Sequence, residues 1–216
     1  AQPFTLFEAQ PRLGGRILSV ASPLTGAMLD LGPAWFWPRT QPLMTRLVAE
    51  LGLASVEQND DGPVLHLREA DKTPDRIEDQ KLHDGARRLK DGLAALVEAL
   101  AGALPADSIC LGHELTAVWA AGDHLVLTFA VAGRQMEVAA RRAILTLPPR
   151  LMAERIEFSP ALDADTLEAM GATATWMAAQ AKVAIAYERA PWRDTGLSGN
   201  AFVTHEQAVV GEIYDA

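Results

Sequence analysis

The chain has 216 residues, 49% hydrophobic and 22% charged, a balance suited to a soluble globular protein of one large domain or two small ones. Its formal net charge of -9 argues against a nucleic-acid partner, because a polyanion needs clustered cations and the pairs Arg87-Arg88 and Arg141-Arg142 do not supply them. A single cysteine, Cys110, excludes an intrachain disulfide and a cysteine-cluster metal site, and no apolar run reaches the ~20 residues that span a bilayer, so the expected compartment is the cytoplasm.

In chain order, residues 4–7 predict a short strand ending at Glu8, followed by a glycine pair and the strand-like "RILSV". An extended apolar run, "AMLDLGPAWFWP", is interrupted at Gly32-Pro33. Leu43, Leu47, Val48 and Leu51 then repeat at helical spacing, with Pro42 near the start and Gly52 just past the end. Residues 57–80 are rich in charge and turn formers around one strand, "VLHL", and read as a surface excursion. Across residues 85–104 the leucines at 89, 93, 96, 100 and 104, with Val97, fall on one face of a helix of about five turns. Three strands at 115–119, 125–131 and 135–138 form a meander around the turns "AAGD" and "AG", and "AILTLPP" reads as a buried strand stopped by Pro148-Pro149. A helix around 166–170 and strands in "AKVAIAYE", "NAFVT" and "AVVGEIYDA" complete the chain.

Several constellations offer little chemistry. His66, His83, His113, His124 and His205 have no partner at metal-ligand spacing and read as surface residues. Cys110 sits in the strand-like "SICLG" and reads as a structural thiol. "GLSGN" lacks the second glycine of a nucleophile elbow, so Ser198 is a turn residue. The pair Asp60-Asp61 lies among polar loop residues, where solvation is expected.

The segment "EAQPRLGGR" is different. An acid at the end of a strand can accept hydrogen bonds from ribose hydroxyls. Gly14 and Gly15 permit close backbone approach, and the guanidinium of Arg16 can pair with a diphosphate in fork geometry. A glycine turn with a surface arginine is the alternative on these residues alone.

"FEAQPRLGGRI" resembles the segment after the second strand in the flavin-containing amine oxidase superfamily. "LDLGPAWFWP", "DGARRLKDGLAALVEAL", "LTAV", "AILTLPP" and "MAAQAKVAIAYERAPWRDTGLSG" resemble further family segments, in the family's order. The resemblance implies an α/β (α+β mixed) fold, with a partial Rossmann-like FAD-binding domain, a β-meander and part of a mixed-sheet substrate domain. It assigns residues 1–38 and 85–150 to the cofactor domain, and 39–84 and 151–216 to the substrate domain. It implies that Glu8 binds the ribose of FAD and Arg16 its diphosphate, with Gly14 and Gly15 giving room. Gly32, Ala34 and Trp35 would lie along the flavin, and Leu115 would meet the adenine edge.

Lys182 is the implied catalytic residue, holding a water near the flavin and helping its reoxidation, with a pKa lowered by burial. Trp176, Tyr187 and Trp192 would lie toward the substrate side or in the core. The implied reaction oxidises a small-molecule amine to an imine with oxygen as acceptor, giving hydrogen peroxide, without a metal. The alternatives are another flavin oxidoreductase of this fold (desaturase, porphyrinogen oxidase or renalase-like) or a non-catalytic binding module. Family members carry a Gly-x-Gly-x-x-Gly unit before the position of Glu8 and a further C-terminal portion. The expectation is therefore an internal segment of a larger flavoenzyme that alone binds FAD weakly.

Overall fold

A computed structural model describes residues 3–177 and 179–216 of the chain, which forms two compact units. The first joins Ala1–Gly15 to Gly102–Ala181, and the second joins Arg16–Ala101 to Lys182–Ala216.

In the first unit the strand Leu6–Glu8 lies parallel to Ile109–Leu111, so Glu8 stands at its carboxyl end opposite Leu111. The expected meander is present as Glu114–Ala121, His124–Val131 and Arg134–Ala140, each antiparallel to the next. Its second turn uses Ala132 at φ 48° and Gly133 at φ 78°, the paired left-handed geometry that matches the twist of a tight hairpin. A fourth strand, Glu157–Ser159, runs parallel to the first meander strand. Phe7 stacks on Phe129 at 4.3 Å between ring centroids, tying the small sheet to the meander. The helix Ala164–Ala172 begins where Asp163 Oδ1 accepts from Thr166 N at 2.8 Å, a side-chain N-cap.

In the second unit a core of Phe36, Val48, Leu89, Leu93 and Leu96 is packed against Ile17, Met44, Leu47, Leu51 and Leu53. The helix Pro42–Glu50 supplies its apolar stripe to that core, with proline in its first turn as the sequence predicts. A four-stranded mixed sheet runs in the order Glu212–Ile213, Ala201–Val203, Val64–Leu67, Asp75–Ile77. The mixed α/β class is therefore as expected.

Three predicted elements differ. The helix expected over residues 85–104 exists only as Ala94–Gly102, because Arg87–Leu89 pairs as a strand with Ser55–Glu57 and Gly92 turns the chain at φ 75°. The helix then starts on remote acceptors: Asp30 Oδ1 takes the Leu93 N–H at 2.8 Å and Ser19 Oγ takes that of Ala94 at 2.9 Å. Leucines at three- and four-residue spacing thus serve the core from a strand at Leu89 and from the helix region at Leu93 and Leu96. Residues 143–147 form no strand, and Ile144 is 90% exposed. Residues 181–187 also lack a ladder, although their side chains alternate: Ala184 and Ala186 are half-buried, while Val183 and Ile185 face outward at 79% and 70% exposure. The period of two is real there, but alanine occupies the inner face and too little apolar surface is buried to fix a strand.

Candidate functional site

The predicted site residues fall into the two units. In the first, Glu8 is half-buried, and its Oε1 accepts from Gln10 N at 2.7 Å, while its carbonyl accepts from His113 N at 2.9 Å. The turn that follows places Gly14 at φ 100° and Gly15 at φ 54°, with no atom within 4 Å of where a Cβ on Gly15 would sit. A left-handed glycine with open space beside it is the backbone that can approach a ligand closely. The sequence reading passed over Arg12, whose guanidinium donates to Leu13 O at 3.0 Å and Gly15 O at 2.7 Å and so fixes this turn. Its signal was available: an arginine three residues before the second glycine can reach forward to the carbonyls of the turn. Leu115 lies at a β-bulge, where the register passes from Thr128↔Ala117 to Phe129↔Leu115 and Thr116 Oγ1 donates to Thr128 O at 3.1 Å. The neighbouring parallel strand covers only residues 117–119, so no strand flanks Leu115 on that side among the described residues.

In the second unit, Arg16 is exposed and its carbonyl lies so close to Gly32 that a Cβ there would be 2.1 Å from Arg16 O. Only glycine allows these two segments to cross. Ala34 is buried and Trp35 half-buried behind them. Lys182, 150 residues further along the chain, donates from Nζ to Gly32 O at 3.1 Å, and its ammonium sits 5.2 Å from the centre of the Trp35 ring. The residue as a whole is exposed, contrary to the expected burial. Its ammonium is the crowded end, and desolvation there holds the pKa below the ordinary lysine value; Asp30 opposes this and Arg88 adds to it. Desolvation likewise lowers the pKa of Arg88, whose Nε is buried without a hydrogen-bond partner. Tyr187 and Trp192 meet edge to face at 5.5 Å, and Trp176 is largely exposed.

Around Trp35 the chain builds a buried polar network that the sequence did not announce. The indole Nε1 donates to Gln58 Oε1 at 2.8 Å, and Gln58 Nε2 donates to Asp215 O at 2.6 Å. Asp60, expected to be solvated, is 7% exposed and accepts from His83 N at 2.8 Å and Asn200 Nδ2 at 2.9 Å. His83, expected at the surface, is 6% exposed and lies against Trp35 at 4.4 Å between ring centroids, tilted by 30°, with the Tyr214 ring edge-on at 4.9 Å. Desolvation lowers the His83 pKa against the opposing pull of Asp60, whose Oδ1 lies 3.9 Å from His83 Nδ1. Desolvation pushes the Tyr214 phenol up to about 12, helped by its hydrogen bond to Glu212. Arg193 donates to Asp215 Oδ2 through both Nε and Nη2, closing the network on the C-terminal side. Ser198 is a buried turn residue, its Oγ donating to Pro63 O at 2.9 Å. Cys110 is half-buried. Among the described residues no three His, Cys, Asp or Glu side chains are grouped to hold a metal ion, and no helix is long and apolar enough to cross a membrane.

Solved structures of the same shape define the class as the fold of amine oxidases. A putrescine oxidase solved with putrescine bound aligns with a TM-score of 0.72 and 19% identity, over 98% of this chain and 66% of that one. Cyclohexylamine oxidase from Brevibacterium oxydans IH-35A aligns at 0.73 and 15%, over 92% and 63%. The family model of flavin containing amine oxidoreductases matches residues 2–73 and 65–215, and the chain belongs to that family. A putrescine oxidase of Kocuria rosea is 30% identical over 136 residues, which make up 60% of this chain and 27% of that protein. The chain thus spans just under two thirds of the solved relatives' length, and its aligned part about a quarter of the curated one.

Proposed function

We propose that these residues serve an FAD-dependent oxidoreductase that oxidises an amine to an imine and passes the electrons to oxygen. The observation that carries this reading is the placement of the Lys182 ammonium on Gly32 O and beside the Trp35 ring. Gly32 and Trp35 belong to the segment that the family resemblance sets along a flavin. Removal of two electrons and two protons from the carbon and nitrogen of the amine leaves the imine, water hydrolyses the imine, and oxygen takes up the electrons and protons as hydrogen peroxide.

Within the first unit the residues are compatible with FAD: Gly14 and Gly15 are left-handed, and open space lies beside Gly15 near an acid at a strand's carboxyl end. In this reading Glu8 accepts from ribose hydroxyls and Arg16 neutralises diphosphate charge, contacts of the charge-assisted kind. In the same reading Gly32 and Trp35 lie along the ring system with Ala34, 2% exposed, packed behind them, and Leu115 offers backbone to the adenine edge. When bound, FAD supplies the two-electron acceptor. Lys182 contributes a cation of lowered proton affinity, able to hold a water at Nζ and to favour negative charge developing on reduced oxygen. A lone cysteine suits a reducing compartment, and we assign the protein to the cytoplasm.

The test is anaerobic mixing of the FAD-loaded enzyme with amines, followed by readmission of oxygen. Amine-dependent bleaching of the flavin and peroxide formed in equal amount to the imine support the reading. A flavin that no amine bleaches overturns it.

A further inference from the structure

The carboxylate of Asp30 joins three segments of the second unit. Asp30 ends the strand Met28–Asp30 and stands opposite Ser19 on the antiparallel strand Ser19–Ala21. Its Oδ1 accepts from Ser19 Oγ and from Leu93 N, and Ser19 Oγ accepts in turn from Ala94 N, so the hairpin is tied to the first turn of the helix Ala94–Gly102. Gly92 permits the close approach, since a Cβ there would lie 2.8 Å from Ser19 Oγ and 3.1 Å from Met28 Cβ. Two residues beyond Asp30, Gly32 is pinned by its crossing on Arg16 O. The segment 30–32 is thus held at both ends, and its Gly32 carbonyl is the one that takes the Lys182 ammonium at 3.1 Å.

Two charged groups act on that ammonium: the Asp30 carboxylate favours its protonated form and the Arg88 guanidinium disfavours it. Arg88 is brought there by its neighbour, because Arg87 exchanges N–H···O bonds of 2.8 and 2.9 Å with Phe36 and so sets Arg88 beside Trp35 across the bridge. The Trp35 ring is the one 5.2 Å from the ammonium. Asp215 and Asp30 attract Arg88, and Arg193 repels it. Asp215 is engaged with Arg193 through Nε and Nη2, and Asp30 is the carboxylate that acts on Lys182. Capping the helix would not by itself need this charge, since asparagine caps as well as aspartate.

We propose that Asp30 is the positioning residue for Lys182, with Arg88 as the opposing charge: one carboxylate fixes the segment whose Gly32 carbonyl seats the ammonium and supplies the negative charge beside it. The use of Lys182 in oxygen chemistry rests on the oxidase reading above, whereas its dependence on Asp30 and Arg88 belongs to the folded chain without flavin.

The test reads the titration of Lys182 through its Cε–Hε NMR resonance in the flavin-free chain, whose lysines are Lys72, Lys81, Lys90 and Lys182. Asp30→Asn keeps the shape and an acceptor for Leu93 N but removes the charge, and should lower the Lys182 midpoint by about one pH unit, as loss of a nearby opposite charge does. Arg88→Gln should move the midpoint the other way. Asp163→Asn, the same change at the cap of the helix Ala164–Ala172 in the first unit, should leave it in place. A midpoint unmoved by Asp30→Asn overturns the proposal, as do equal shifts for Asp30→Asn and Asp163→Asn. Should Asp30→Asn fail to fold, a midpoint that Arg88→Gln leaves unmoved or lowers overturns it instead. Shifted midpoints together with unchanged flavin reoxidation in FAD-loaded Lys182→Met would remove Lys182 from the oxidase reading and leave its tie to Asp30 standing. Slowed reoxidation in Lys182→Met with a midpoint indifferent to Asp30→Asn would do the reverse.

Discussion

Asp60 and its neighbour Asp61 look alike in sequence and should behave in opposite ways. Asp60→Ala deletes a carboxylate that is 7% exposed and that accepts from His83 N at 2.8 Å and Asn200 Nδ2 at 2.9 Å. Each stranded donor costs about 1–3 kcal/mol, so the two together give an expected loss of about 2–6 kcal/mol. Asp61 holds Lys81 in the open, with side chains 89% and 48% exposed, where solvent screens the pair. Asp61→Ala should therefore leave stability unchanged. Urea unfolding followed at the Trp35 indole resonance reads the second unit directly, because that indole is tied to the network through Gln58. Asn200→Ala added to Asp60→Ala should cost less than the sum of the two, since they share a hydrogen bond. Equal losses for Asp60→Ala and Asp61→Ala would refute the reasoning, because burial and pairing would then not decide what the acids do.

Lys182→Met in the FAD-loaded enzyme should slow reoxidation of the flavin by oxygen more than its reduction by amine; stopped-flow traces of the two half-reactions separate them, and unchanged reoxidation would remove Lys182 from the mechanism. Arg16→Ala should weaken FAD binding by roughly tenfold to a hundredfold, the worth of one charge-assisted contact, as measured by equilibrium dialysis; an unchanged affinity would take Arg16 away from the diphosphate. Because desolvation holds the folded-state pKa of His83 below its ordinary 6.5, the unfolded chain gains this proton first as pH falls. The stability that neutral His83 contributes is complete above about pH 6.5 and declines as pH drops through the folded-state pKa. His83→Phe keeps a ring on Trp35 and should flatten that part of the stability profile; parallel profiles for the two proteins would contradict it.

The sequence displayed elements whose cause is local. Pro42 and the leucine spacing set one helix, and the alternation around two tight turns set the meander, because hydrogen bonds of neighbouring residues decide both. It misled where the same pattern satisfies two structures. Leu89, Leu93 and Leu96 match a helical stripe, yet Leu89 reaches the core from a strand because Ser55–Glu57 is there to pair with it. Nothing within residues 85–104 encodes that partner. "AKVAIAYE" similarly alternates as a strand does, but its alanine face buries too little to hold a ladder.

The candidate site was legible to the degree that its residues act through backbone shape. Gly14, Gly15 and Gly32 could be singled out because left-handed turns and close crossings need glycine whatever surrounds them. Gln58, Asp60, His83 and Asn200 could not, because each is polar and each lies in a stretch that reads as loop. What distinguishes them is satisfaction by partners far along the chain: Gln58 meets Asp215 across 157 residues, and Asp60 meets Asn200 across 140. A polar residue enters a core only when such partners are supplied, and a linear pattern carries no record of them. The consequence reaches the chemistry. Trp35, the aromatic beside Lys182, is fixed in orientation by Gln58, which is itself held by the Asp215 carbonyl; Asp215 is held in turn by Arg193 and Asn200. The placement of the Lys182 ammonium against that indole therefore depends on residues that have no chemical role of their own, and the network ranks with the glycine turns among the features that build the site.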